Sequence, residues 1–311
     1  MLVATPPGNV SPHVCRDLVT FKTLLRWRGN RGNGGGSQIG ALAKESGLDK
    51  TFEAMAKKPY FSEEALKQLA QGYLDAKSKA NNLVETVAGL KLSSPRGVEF
   101  AQHGLSRRIT TLSHCIRRVF EILPPERRDL PSREDRHDAA IHIQAAIFNT
   151  FGCTDNLAWI WVSEKNVRNA NGTQLSPMKI GLGPKYTLVR RSFPKEFQNY
   201  LESLDEWFGN LESYRHSLAH RIPLYIPPYT VDPKDEDSYQ ALERRSWALL
   251  SSGQVEEHKR AKDEQLLLKT FRPVIMHSFA EGAKPIVFHP QIIADFNTIE
   301  ELSMKMIEYL K

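Results

Sequence analysis

The sequence predicts a mainly α fold, an up-and-down helical bundle followed by a small C-terminal β-hairpin and a last helix. Three observations lead there. Apolar residues recur at three- and four-residue spacing over long stretches between residues 62 and 220. Two of those stretches open on a serine followed by acids, at Ser62 and Ser132, and two stop at proline, at Pro124-Pro125 and at Pro223. Only beyond residue 270 do short β-prone runs take over, Val274-Ile275-Met276 and Pro285-Ile286-Val287-Phe288.

Taken in order, Ser62 with Glu63 and Glu64 marks a helix start, because the acids complement the positive dipole end of the first turn. Ala65, Leu66, Leu69 and Tyr73 continue its stripe, and the helix is expected to reach about Leu90. After the loop Ser93-Ser94-Pro95-Arg96 a second helix turns Leu105, Ile109, Leu112, Ile116, Val119 and Phe120 inward and ends at Pro124-Pro125. Ser132 with Asp135 opens the third and longest helix, whose two apolar flanks give it a central place. Residues 167 to 193 read as an irregular connection with a short hairpin around Tyr186 to Val189. Ser192 and Pro194 then open a fourth helix running to His220, its buried face built from Phe197, Leu201, Leu204, Trp207, Phe208, Leu211 and Leu218. A charged fifth helix covers Asp237 to Leu268 with a break at Gly253. Two strands separated by Glu281-Gly282 follow, then a helix capped by Thr298 with Glu301 at the box position.

The organisation that results is a flexible segment over 1–60 with the Gly-rich linker GNRGNGGGS at 29–37, a helical bundle over 61–270, and a hairpin plus helix over 271–311. The glycine-rich stretch is not read as a phosphate loop, since it lacks the following Gly-Lys-Ser/Thr and no buried strand precedes it.

With 311 residues, 41% hydrophobic and 25% charged, the chain has material for a sizeable core without staples. Its 42 Lys plus Arg against 36 Asp plus Glu give a formal charge of +6, which favours an anionic partner without naming one. Cys15, Cys115 and Cys153 are scattered and odd in number, so neither a disulfide framework nor a zinc knuckle is supported, and a reducing, cytoplasmic setting is expected. Ile141 to Val162 has membrane-spanning length, but His142, Gln144, Asn149, Asp155 and Asn156 interrupt it, so no membrane span is expected. Pro6, Pro7 and Pro12 fall where a secretion signal needs its apolar run.

The chemistry concentrates in Tyr214-Arg215-His216-Ser217-Leu218-Ala219-His220. An arginine, a polar residue, three further residues and a histidine form the motif of the HEPN superfamily (higher eukaryotes and prokaryotes nucleotide-binding), which Arg215 to His220 resembles position by position. The stretch from about 96 to 225 is similar to that family's helical bundle. The resemblance implies metal-independent RNA cleavage, with Arg215 and His220 catalytic, no cofactor, and often a composite site between two protomers. A homodimer, an RNA substrate, a toxin or defence role and an antitoxin or regulatory partner follow as expectations.

In chemical terms, an imidazole is the side chain suited to proton transfer near working pH, so His220 could move the ribose 2′-hydroxyl proton or protonate the leaving oxygen. Arg215 could clamp the phosphate and meet the charge growing on its oxygens. Five residues on a continuous helix turn by about 140°, so the pair share one cleft only through terminal unwinding or a partner subunit. His216 fills the polar slot beside the arginine in a supporting role. With His220 it also makes an i, i+4 pair of zinc-binding spacing, yet no glutamate follows His216 and no further ligand is evident, so no metal is assigned.

Asp155, costly to bury alone, is expected to pair with a base, Arg215 being one partner and another basic residue or solvent the plainer one. His277 and His289 end the two C-terminal strands and would approach each other if those strands pair. Trp159, Trp161 and Trp207 are assigned to packing rather than base stacking. A non-catalytic interaction module and a nucleotide-binding sensor stand as the competing readings.

Overall fold

The structure, a computed structural model, describes residues 59–278 and 285–310. The expected N-terminal segment, its glycine-rich linker and the Glu281-Gly282 turn lie outside these residues, residues 59 and 60 excepted. The remainder is a helical bundle.

Helix α1 (Glu63–Ala88) starts where Ser62 accepts a hydrogen bond from the Ala65 amide, as its sequence requires. Ser94 caps α2 (Pro95–Glu99) through the Gly97 amide, and the chain runs on through a π-helical turn, Phe100–Leu105, into α3 (Ser106–Ile122). The inward row of α3, Ile109, Leu112, Ile116 and Val119, is buried. Removing one such side chain down to alanine typically costs about 2–5 kcal/mol. Helix α4 (Arg133–Glu164) begins at Ser132, which accepts from the Asp135 amide.

Helix α4 is the central element. It packs against α2, the π turn and α3, and from Ala139 to Val162 it is buried on several sides. At its far end the Glu164 carboxylate accepts bonds from the Ser93 and Ser94 amides and from the Ser93 hydroxyl, tying it to the start of α2. No helix among the described residues is long and apolar enough to cross a membrane.

The connection after α4 is irregular as expected, with a bridge between Arg168 and Gln174, but its end differs. Thr187–Arg191 form a short helix, α5, not a hairpin, because Val189 packs into the core and Arg190 turns back to donate to the Leu182 carbonyl at 2.7 Å. Ser192 closes α5 instead of opening the next helix. Its hydroxyl donates to the Val189 carbonyl and accepts from Trp161 Nε1. The fourth expected helix is two, α6 (Lys195–Ser203) and α7 (Asp205–His220), broken at Leu204. Arg190 holds the break through an ion pair with Asp205 at 2.6 Å.

The charged fifth helix is broken at Gly253, whose φ of +78° favours glycine. Its halves, α8 (Glu236–Ser251) and α9 (Val255–Leu267), pack on each other as a hairpin. Lys262 and Gln265 reach across to Glu243, and the bond from Lys262 is the main reason its carboxyl falls to about 2. Strand β1 (Thr230–Val231) pairs antiparallel with β2 (Lys269–Thr270) at the two ends of this hairpin.

The expected C-terminal strands are present as β3 (Val274–Ile275) and β4 (Ile286–Val287), antiparallel, with Val274 opposite Val287. Helix α10 (Phe288–Glu308) starts directly after β4, ten residues before the Thr298 cap read from the sequence. Thr298 is interior to it and donates to the Ala294 carbonyl. The reason is burial: Phe288, Ile292, Phe296, Ile299 and Met306 form one stripe that completes the same core as α1, α3 and α4.

Candidate functional site

The site begins where α7 crosses α4. Phe208, Leu211 and Ser217 face inward and fix the rotation of α7, leaving Arg215 half-buried. Its guanidinium carbon stands 5.1 Å from the centre of the Phe151 ring on α4, within cation–π range. Among the described residues no ion pair joins Arg215 to a carboxylate.

Asp155 lies one turn beyond Phe151 and is half-buried. Burial pushes its carboxyl up to about 6, while Arg108, then Arg215 and Lys185, pull it down and Glu212 raises it again. The pairing expected between Asp155 and Arg215 is thus an electrostatic neighbourhood, not a contact ion pair. Lys185 and Glu212 pair at 2.5 Å beside it, and that bond is the chief cause of the raised Lys185 amine. The cavity among Phe151, Asp155, Lys185, Tyr186, Phe208 and Glu212 is about 10 Å³, room for roughly one water.

Arg108 enters from α3, on the other side of α4. Its Nε donates to Asn156 Oδ1 at 3.0 Å and its Nη1 to Asn149 Oδ1 at 3.2 Å. Between those asparagines lies Gly152, and the absence of a side chain there gives the guanidinium its seat. Gly104 makes the matching allowance one turn earlier, where a β-carbon would stand 2.8 Å from Asn156 Nδ2. Sequence reading missed Arg108, Gly152 and the Lys185–Glu212 pair. The available signal was the row Asn149, Gly152, Asn156, which shares one face of α4.

His216 and His220 are exposed, with ring centres 5.0 Å apart. Helical geometry persists through His220 and the Arg221 amide still donates to the Ser217 carbonyl, so the end of α7 is not unwound. Arg215 and His220 of one chain therefore leave the helix about 140° apart. No group of three or more His, Cys, Asp or Glu side chains with metal-holding geometry occurs among the described residues.

The other sequence candidates are dispersed. His289 is buried within α10, bounded by Phe61, Phe120 and Phe288, and its Nε2 donates to the Leu123 carbonyl at 2.6 Å. Burial drives this imidazole down to about 3. His277 instead stands beside Tyr214, with ring centres 6.3 Å apart. The tryptophans pack: Trp159 stacks on Phe100, Trp161 stacks on Phe193, and Trp207 donates to Asp295 at 2.9 Å. Cys115 and Cys153 are buried free thiols, pushed up by burial to about 11 and about 12.

Fold and geometry together define a mainly helical bundle with a basic crossing of α3, α4 and α7 around Asp155. Comparison with protein-family models, with curated proteins and with solved structures finds no match to the chain.

Proposed function

We propose that this chain is a metal-independent endoribonuclease of the HEPN type that works as a homodimer. The observation that carries the proposal is the state of the motif. Arg215 is held over Phe151 with no carboxylate among the described residues bound to it, and His220 is exposed at the end of an intact helix. An arginine serving only the core would be locked in an ion pair. One that awaits an anion keeps its forked donors available, and those donors suit a phosphate.

In the proposed reaction the ribose 2′-oxygen attacks the adjacent phosphorus and the 5′-oxygen departs, giving a 2′,3′-cyclic phosphate and a 5′-hydroxyl end. His220 moves the proton, and Arg215 meets charge on the non-bridging oxygens. His216 and Asp155 support them, the carboxylate by setting the local field around the arginines. Because the two side chains diverge on one helix and the cavity beside Asp155 holds about one water, Arg215 of one copy works with His220 of the other. Ile141 and Phe148 lie seven residues apart on α4, so they share a face, and both are exposed. We assign this face to the second copy. A toxin or defence role with a regulatory partner is part of the same proposal.

The test is incubation of the purified protein with single-stranded and transfer RNA in chelator, with 2′-deoxy substrates as control. Cyclic-phosphate ends made by wild type and lost in His220→Ala support the proposal. Intact RNA in every reaction overturns it.

The competing reading, a non-catalytic interaction module, is favoured by one observation: Trp247, Leu250, Leu266 and Leu267 on the α8–α9 hairpin are exposed apolar side chains. It offers no account of an Arg215 that pairs with no carboxylate among the described residues.

A further inference from the structure

A cavity of about 230 Å³ lies away from the Arg215 crossing, between α1 and α3. Thr110, Ser113 and Arg117 line it at i, i+3 and i+7 of α3, hence on one helical face. Arg108 projects roughly 160° away from Thr110 on the same helix. The two basic regions use opposite sides of α3.

The chemistry of this groove is that of an anion site. Lys77 projects into it from α1 with no partner among the described residues. Arg117 donates Nη1 to Glu121 at 2.7 Å and faces His114 Nδ1 with Nη2 at 3.1 Å. The bond to Nδ1 makes that nitrogen the acceptor, which leaves the His114 Nε2–H directed elsewhere. Ser113 and Asn81 contribute a hydroxyl and an amide.

Charge is unbalanced around the groove. Among the described residues, Glu121 alone answers both Arg117 and Arg118, at 2.7 and 2.8 Å. Behind His114, with ring centres 5.8 Å apart, stands His142. Burial first, then Arg118, His114 and Arg117, push this imidazole down, and Asp138 alone opposes them. One wall is apolar: the Tyr73 ring, stacked on Phe120 with centres 5.0 Å apart.

We propose that the α1–α3 groove binds a phosphomonoester of about nucleotide size, its dianion held by Lys77, Arg117 and His114 and its organic part resting on Tyr73. A doubly charged terminal phosphate supplies the negative charge that Glu121 leaves short, and Ser113 and Asn81 donate to its remaining oxygens. A diester carries one charge and matches the groove less well. The cavity lies just below the usual range for small-ligand sites and is open to solvent, which suits a terminal phosphate with one nucleoside against Tyr73 and leaves the rest of a longer ligand outside.

The test uses the full chain with histidine ring carbons labelled for NMR, titrated with inorganic phosphate and with adenosine monophosphate. Binding is expected to move the His114 and His142 resonances and to raise the pH midpoint of His142, because an anion offsets the surrounding arginines. Lys77→Ala, a change at an exposed position, is expected to weaken binding about tenfold, and Arg215→Ala to leave it unchanged. A short 2′-O-methyl RNA with a 5′-phosphate is expected to compete, and the same RNA with a 5′-hydroxyl to fail. Equal affinity for phosphate and the nucleotide assigns free phosphate as the ligand, and tighter nucleotide binding assigns the ester. Unmoved His114 and His142 resonances at millimolar ligand, a Lys77→Ala protein that binds like wild type, or equal competition by the two RNAs overturns the proposal. None of these readouts depends on RNA cleavage.

Discussion

Arg108 of α3 lies flat across Gly152 of α4: a β-carbon at that glycine would stand 2.3 Å from the guanidinium carbon. Gly152→Ala therefore has to displace Arg108 from Asn149 and Asn156 and remove a cation from beside Asp155. We expect a loss of about 1–3 kcal/mol in chemical denaturation, the usual cost of overpacking a close contact. Arg108→Ala restores the space but not the charge, so pairing it with Gly152→Ala should recover part of that loss.

Asp155 and Asp295 are both pushed up to about 6, from an ordinary 3.8, chiefly by burial. A raised carboxyl binds its proton more tightly in the folded state. Its contribution is therefore complete below 3.8 and declines as pH climbs to about 6, with no further change above that. Each group should account for about 1–3 kcal/mol over this window. Asp155→Asn is expected to flatten the fall in unfolding free energy between about pH 4 and pH 7, leaving the share that belongs to Asp295. An unchanged slope would show that Asp155 titrates normally.

Arg215 and His220 should separate fold from chemistry. His220 is exposed, so His220→Ala is expected to change stability by less than about 0.5 kcal/mol while cleavage falls by about 10²-fold or more. Arg215→Lys keeps the charge but loses the fork, and we expect it to resemble Arg215→Ala in single-turnover cleavage assays.

The proposed seating of a second copy on the α4 face requires the site to depend on association. Ile141→Glu and Phe148→Glu, at positions 61% and 40% exposed, should yield folded monomers by light scattering that no longer cleave RNA. Mixing Arg215→Ala protein with His220→Ala protein should regain activity, because one of the two composite sites in the mixed dimer then retains both groups.

Gly253→Ala tests the α8–α9 hairpin. At φ +78° a β-carbon meets no neighbouring atom within 4 Å, so the cost is backbone strain alone, about 1 kcal/mol. Hydrogen exchange should quicken in α8 and α9 while cleavage stays at the wild-type rate.

Much of the bundle was legible because its signals are local. Ser62 and Ser132 cap their helices as their sequences imply, and Gly253 breaks the charged helix. What escaped depends on tertiary contact. The inward stripe from Phe197 to Leu218 is continuous, so nothing in its period registers the break at Leu204, which Arg190 enforces from another element. Phe288 looks like the end of a strand and becomes the first turn of α10 because the core has a place for its ring. At the site the same division holds: Arg215, His216 and His220 sit together as one motif, whereas Arg108 is 41 residues from the Asn149 it binds.

The π turn at Phe100–Leu105 is in effect a one-residue insertion, and it sets the phase between two anchorages on α4. Before it, Ser93 and Ser94 grip Glu164. After it, Arg108 reaches Asn149 and Asn156. Deleting one residue there would convert the turn to ordinary helix and rotate one anchorage by about 100° relative to the other, so that only one could engage α4. The fold spends an irregular turn to keep two grips in register, and the basic crossing inherits its geometry from that single extra residue.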